Sequence, residues 1–103
     1  MGFVRLAALD ALRGGELRGC VVDGRKVLVA RLGAEVVAYE DRCAHLGVPL
    51  SEGRLDGDEL TCFAHEWVYD LRAGRGVNPA SACLKRFPVK VEDGQVWVDV
   101  SGA

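Results

Sequence analysis

Residues 16–40 read ELRGCVVDGRKVLVARLGAEVVAYE, and the pattern of this stretch decides the fold class. Glu16 to Val22 and Arg25 to Leu32 are separated by Asp23-Gly24, a pair that tolerates the positive φ angles of a two-residue hairpin turn. Glu35 to Glu40, after Gly33-Ala34, continues the pattern, so the stretch predicts a β-meander. Asp-Gly recurs at Asp56-Gly57 and Asp93-Gly94, and thirteen glycines stand against three prolines, a composition of short strands joined by tight turns. The expected fold class is all-β.

On the N-terminal side, Phe3 to Ala7 alternates weakly as a first strand, and Leu9 to Arg13 before Gly14-Gly15 has room for one or two helical turns at most. On the C-terminal side the periodicity stops between Arg42 and Gly53, so Cys43, His45, Gly47, Pro49 and Gly53 fall together in a loop. Leu55 and Glu59 to Cys62 flank Asp56-Gly57-Asp58 as a second hairpin that leads into Phe63-Ala64-His65. Trp67 to Leu71 reads as a short strand and Ala73 to Cys83 as a third loop, and Phe87 to Glu92 pairs with Gln95 to Val100 across Asp93-Gly94.

The 103 residues, 50% apolar and 27% charged, suit one globular domain over 1–103 and leave no room for a second catalytic one. Thirteen basic against fifteen acidic residues give a net charge of −2 with no long run of either sign, which argues against a nucleic-acid partner. The longest apolar runs, such as Val27-Leu28-Val29-Ala30, fall far below the roughly 18 residues of a membrane span. Met1 to Arg5 is not followed by a signal-peptide apolar region, and Leu6 occupies the Ser or Thr position of a myristoylation signal. The expectation is a soluble, cytoplasmic chain with no membrane partner. There thiols stay reduced, and the four cysteines are ligands or core filler.

Both histidines lie just after a cysteine, in Cys43-Ala44-His45 and, sixteen residues on, in Cys62-Phe63-Ala64-His65. Residues i and i+2 of an extended segment project to one side, and a tight turn brings i and i+3 together, so each loop presents a thiolate and an imidazole. Coincidental burial is the bland explanation, but these loops lack a core pattern, and metal ligation explains the pairs better. Four such ligands suit one zinc or an iron–sulfur cluster. Zinc sites usually set a C-x-x-C arm against an H-x-x-x-H arm, whereas both arms here are mixed. A two-iron centre with two cysteines on one iron and two histidines on the other would have each mixed arm straddle both irons.

The motif C-x-H-x16-C-x-x-H, with Gly47 after the first pair, resembles the Rieske [2Fe–2S] signature. The similarity extends along the chain, and Trp67, Asn78-Pro79, Cys83-Leu84 and Pro88-Val89 are similar to ferredoxins of toluene-type diiron monooxygenase systems. The resemblance implies stacked antiparallel sheets with a cluster-binding tip, formed by the two ligand loops and a third loop containing Pro79. It also implies one [2Fe–2S] cluster per chain, with Cys43, His45, Cys62 and His65 as cofactor-binding metal ligands. Two ferric irons, two sulfides, two thiolates and two neutral imidazoles sum to zero charge, so an electron adds more easily than to a four-thiolate dianion. As in the family, His45 and His65 would expose their second nitrogen at the tip as docking face and electron exit.

Where respiratory-chain Rieske proteins have a disulfide between the ligand loops, this chain has Val48 and Ala64, and where they have a serine donor after the second histidine it has Trp67. Fewer donors lower the potential. Tyr69 stands where high-potential members carry a tyrosine that would act the other way, although a half-buried strand tyrosine explains it equally well. The resulting expectation is a midpoint toward the low end of the Rieske window of about −150 to +300 mV.

Cys20, in an alternating strand, and Cys83 read as packing, since four ligands are already supplied. Trp67 reads as a packing wall more readily than as a docking residue. Arg42, Glu52, Glu66 and Arg72 are candidate rim charges, set against an ordinary solvated surface. Gly74-Arg75-Gly76 begins a dinucleotide fingerprint that Pro79 breaks.

With both histidines taken, none remains for a 2-His-1-carboxylate iron site or for the E-x-x-H motifs of a diiron bundle, and no nicotinamide or flavin site is evident. The expected function is therefore not an enzyme but a soluble Rieske-type ferredoxin. It would pass single electrons from a flavin-dependent NAD(P)H reductase to an oxygenase in an aromatic monooxygenase-like system. The alternatives are a ferredoxin of a ring-hydroxylating dioxygenase, a small Rieske subunit of a nitrite-reductase-like enzyme and, in another class, a zinc-stabilised or iron–sulfur sensing interaction module.

Overall fold

The computed structural model describes residues 2–33, 35–42, 49–62, 67–78 and 84–100. Among the described residues, eleven strands form three antiparallel sheets. The central sheet contains β2 (Leu17–Val22), β3 (Arg25–Leu32), β4 (Glu35–Glu40) and the two-residue β9 (Arg86–Phe87), in that order. One flanking sheet orders β1 (Val4–Ala8), β11 (Gln95–Val98) and β10 (Val89–Glu92) as β1-β11-β10. The other is a run of short hairpins, β5 (Arg54–Asp56), β6 (Glu59–Thr61), β7 (Val68–Asp70) and β8 (Arg75–Asn78).

The apolar run Val27 to Ala30 needs an explanation, because a half-exposed strand alternates. In β3 all four residues are buried. Leu28, Ala30 and Leu32 point with Val37 and Tyr39 into a core shared with Leu60, Cys62, Tyr69 and Leu71 of the hairpin sheet. Val27 and Val29 point the other way, with Val36 and Ala38, toward Val96 and Val98 of β11. The meander is thus the middle layer of three, apolar on both faces. Each fully buried Leu or Val there contributes about 1.5–3 kcal/mol relative to an exposed one.

Turn chemistry sets the register. Asp23 and Gly24 (φ 50° and 78°) and Asp93 and Gly94 (φ 54° and 71°) all take positive φ, the type I′ pattern that matches the strands' twist. At the third Asp-Gly the turn is shifted by one residue. Asp56 pairs with Glu59, so Gly57-Asp58 is the connection, and only Gly57 (φ 62°) takes positive φ.

Two expectations are corrected. The span from Ala73 to Cys83, expected as loop, contains β8, whose Asn78, Gly76 and Arg75 pair with Val68, Tyr69 and Asp70 across a bulge. Gly and Asn have low strand propensity and the bulge breaks alternation, so pairing rather than pattern makes this segment a strand. Phe87 to Glu92, expected as one strand, is divided at Pro88. Arg86 and Phe87 pair with Tyr39 and Ala38 of the central sheet, whereas Val89 to Glu92 pair with Val98 to Gln95. A proline has no N–H for either ladder, and the chain changes sheets there. The segment after β1 is a single 3-10 turn, Leu9–Ala11, and a second, Leu50–Glu52, lies inside the expected Arg42–Gly53 loop.

Candidate metal centre

At one end of the hairpin sheet lie the strand ends that lead toward the Cys/His motifs. Arg54 pairs with Thr61, Thr61 with Val68 and Val68 with Asn78, so these four residues form one row across the sheet. Residues 43–48 precede β5 by the Leu50–Glu52 turn, residues 63–66 join β6 to β7, and residues 79–83 leave the end of β8. The two segments expected to hold ligands and the expected third clasp therefore all adjoin strand ends at this row. Of the four expected ligands, Cys62 is described; Cys43, His45 and His65 lie outside the described residues, as do Gly47, Val48, Ala64, Glu66, Pro79 and Cys83.

Each attachment is tied. Ser51 donates its backbone N–H to Asp41 Oδ1 (2.8 Å) and its hydroxyl to Asp41 Oδ2 (2.6 Å), joining the residues on either side of 43–48. Asp41 is buried, and its own N–H bonds Lys26 O at 3.0 Å. Cys62 N–H donates to Trp67 O (2.8 Å) across 63–66, and Leu84 N–H to Gly74 O (3.2 Å) behind 79–83. Gly53 has no alternative at its position, since a Cβ there would lie 2.2 Å from Thr61 O. Tyr39 donates its hydroxyl to Leu71 O and lies against Gly74, whose φ of 80° suits glycine.

Cys62 is wholly buried and directly precedes the second segment. A buried thiol at the neck of a loop, dry and fixed by its own N–H, fits a soft metal held as thiolate. Tyr69, read as either a donor to a cysteine sulfur or a half-buried strand tyrosine, is wholly buried in the same core, and half-buried Trp67 packs against that core. Cys20, as expected, packs beside Val22 and Val27. Burial, helped by Asp41, pushes the Cys20 thiol above its ordinary range.

The charges at the rim divide. Arg42 and Glu52 are exposed beside the first segment. Arg72, expected there as well, sits at the other end of the hairpin sheet, bonded to Asp58 (2.9 Å) and Glu35 (2.6 Å). The guanidinium holds the Asp58 carboxyl below its usual range by direct hydrogen bonding. Sequence reasoning missed Asp41, Ser51 and Gly53. Neither the types nor the spacing of Asp41 and Ser51 marks this closure in the sequence.

Among the described residues no helix is long and apolar enough to cross a membrane. The Rieske [2Fe–2S] domain profile matches residues 2–88. The chain is similar to the ferredoxin component of the alkene monooxygenase system of Xanthobacter autotrophicus, 40% identical over 97 residues that cover 93% of this chain and 80% of that one. It superposes on the ferredoxin of carbazole 1,9a-dioxygenase from Nocardioides aromaticivorans with a TM-score of 0.86 at 30% identity, covering 95% of this chain and 97% of that one. A ferredoxin bound to its oxygenase in the carbazole 1,9a-dioxygenase system matches with a TM-score of 0.87 at 32% identity, covering 93% of this chain and 91% of that one. With a wholly buried cysteine at the end of β6 where the short hairpin sheet leads into the second Cys/His motif, and a profile match running from residue 2 to residue 88, the chain belongs to the Rieske [2Fe–2S] domain family.

Proposed function

We propose that this chain is the ferredoxin component of an oxygenase system. It is an electron carrier rather than an enzyme, working as a single domain in the cytoplasm and taking electrons one at a time from a flavin-dependent NAD(P)H reductase. Cys43, His45, Cys62 and His65 would hold one [2Fe–2S] cluster. The observation that supports this reading is the row Arg54, Thr61, Val68 and Asn78, the end of the small sheet at which β6 stops just before residues 63–66 and β5 starts shortly after residues 43–48. A cluster bound there supplies reversible one-electron transfer. The protein's own part is rigidity and dryness. The Cys62 N–H to Trp67 O bond fixes the second arm, the Asp41–Ser51 pair fixes the first, and Tyr69, Leu60 and Trp67 exclude water beneath them. A centre that keeps its shape in both oxidation states has little to reorganise when the electron moves.

The 40% identity to an alkene monooxygenase ferredoxin favours a monooxygenase as the acceptor. The structural likeness to carbazole dioxygenase ferredoxins supports a ring-hydroxylating dioxygenase as the second reading. The deciding experiment reconstitutes the cluster, records low-temperature electron paramagnetic resonance after reduction, and assays coupled turnover with a reductase and each type of oxygenase. The expected results are a Rieske-type signal with lowered average g, its loss in Cys62→Ser and His65→Ala, and turnover that stops when the chain is omitted. Zinc in place of iron, or undiminished turnover without the chain, overturns the proposal.

A further inference from the structure

Asp41 is the one charged residue buried among the described residues. No lysine or arginine nitrogen among the described residues lies within ion-pair distance of it, and its carboxylate accepts from the N–H and the hydroxyl of Ser51. The neighbouring cations Arg25, Lys26 and Arg42 are exposed, so water screens them. The strand beneath is shaped for the pair. A Cβ at Gly19 would fall 2.5 Å from Ser51 Oγ and 3.0 Å from Asp41 Oδ2, and β2 leaves that space open. A buried anion is costly unless hydrogen-bonded, and its retention at a loop neck calls for a use. Cys43 follows Asp41 by two residues, and two residues of chain span at most about 7 Å.

We infer that Asp41 is a positioning residue that also tunes the centre. Locked by Ser51, its carboxylate closes the neck of the first ligand loop, and its negative charge lowers the potential at which the protein accepts an electron. The inference rests on the assignment of Cys43 and His45 as ligands. The reduced centre carries one more negative charge than the oxidised one, so a fixed anion at short range disfavours reduction.

The test is a redox titration of the reconstituted protein, monitored by its visible and paramagnetic resonance spectra, in the wild type, Asp41→Asn and Ser51→Ala. Asp41→Asn removes the charge but keeps the shape, and the ratio of reduced to oxidised protein at a fixed poise should rise on the order of tenfold. For one electron that is about 59 mV upward. Ser51→Ala keeps the charge and removes a donor, so its midpoint should move the opposite way. A neck that matters only mechanically would give parallel loss of cluster in both variants with no opposed shift, and that result overturns the inference. So does an Asp41→Asn midpoint equal to or below the wild type. Should Asp41→Asn fail to hold a cluster, Ser51→Ala decides, and a midpoint at or above the wild type overturns it. A wild type that takes up no two-iron cluster overturns the ligand assignment instead, a separate outcome.

Discussion

The central meander and the hairpin sheet are built on opposite plans. β3 and β4 are six to eight residues long and apolar on both faces, and they are held by continuous ladders from Leu17 to Glu40. β5, β6 and β7 are three residues each, and β8, of four, joins them through a bulge. Long ladders between two hydrophobic layers are self-sufficient, whereas three-residue strands are marginal without support. The hairpin sheet gains that support from the core below it and from the ties across its loop necks. The difference teaches that one layer supplies stability while the other supplies placement, and that the placing layer is the one with little stability to spare.

The largest way to break this division is Leu28→Ala in β3. Loss of a wholly buried leucine facing the hairpin sheet should cost about 2–5 kcal/mol, read as a shift of the denaturation midpoint for the whole domain. Next is removal of the metal. Chelation should speed amide exchange in β5 to β8 while Val27 to Leu32 stay protected, and equal loss in both layers would erase the distinction. Gly53→Ala sets a Cβ against Thr61 O and should cost about 1–3 kcal/mol, with cluster occupancy falling further than global stability does. Cys20→Ser, in the stabilising layer, should leave the cluster spectrum intact and change stability by less than about 1 kcal/mol. The smallest effect is acidic. The Asp58 carboxyl is held low in the folded state by Arg72, so its contribution is complete above the ordinary carboxylate range and is lost as pH falls through the lower folded value. Both partners are exposed, so a modest salt-sensitive loss below about pH 4 is expected, absent in Asp58→Asn.

The same division explains what the sequence discloses. The meander and the β10–β11 hairpin were legible because their signals are local: Asp23-Gly24 and Asp93-Gly94 are turns whose φ angles those residues prefer. β8 and β9 were not, since Arg75-Gly76-Val77-Asn78 and Arg86-Phe87 are strands only by virtue of partners elsewhere. At the candidate site the Cys/His spacing is a chemical signal that survives without coordinates. The Asp41–Ser51 closure is not such a signal, because nine residues separate the two across a loop and nothing in their types announces the bond. Arg72 shows the converse error. A charge near the motif in sequence was carried to the far end of the sheet by one hairpin.

The break at Pro88 bears on crowding as well. It leaves β10 as an outer strand of its sheet, a row of backbone groups that a second copy could pair with. The strand is four residues long, begins just after a residue without an N–H, and carries Lys90 and Glu92 on either side of half-exposed Val91. A short, charged edge is a poor template for intermolecular pairing. A carrier that docks with more than one partner is thereby guarded against sticking to itself.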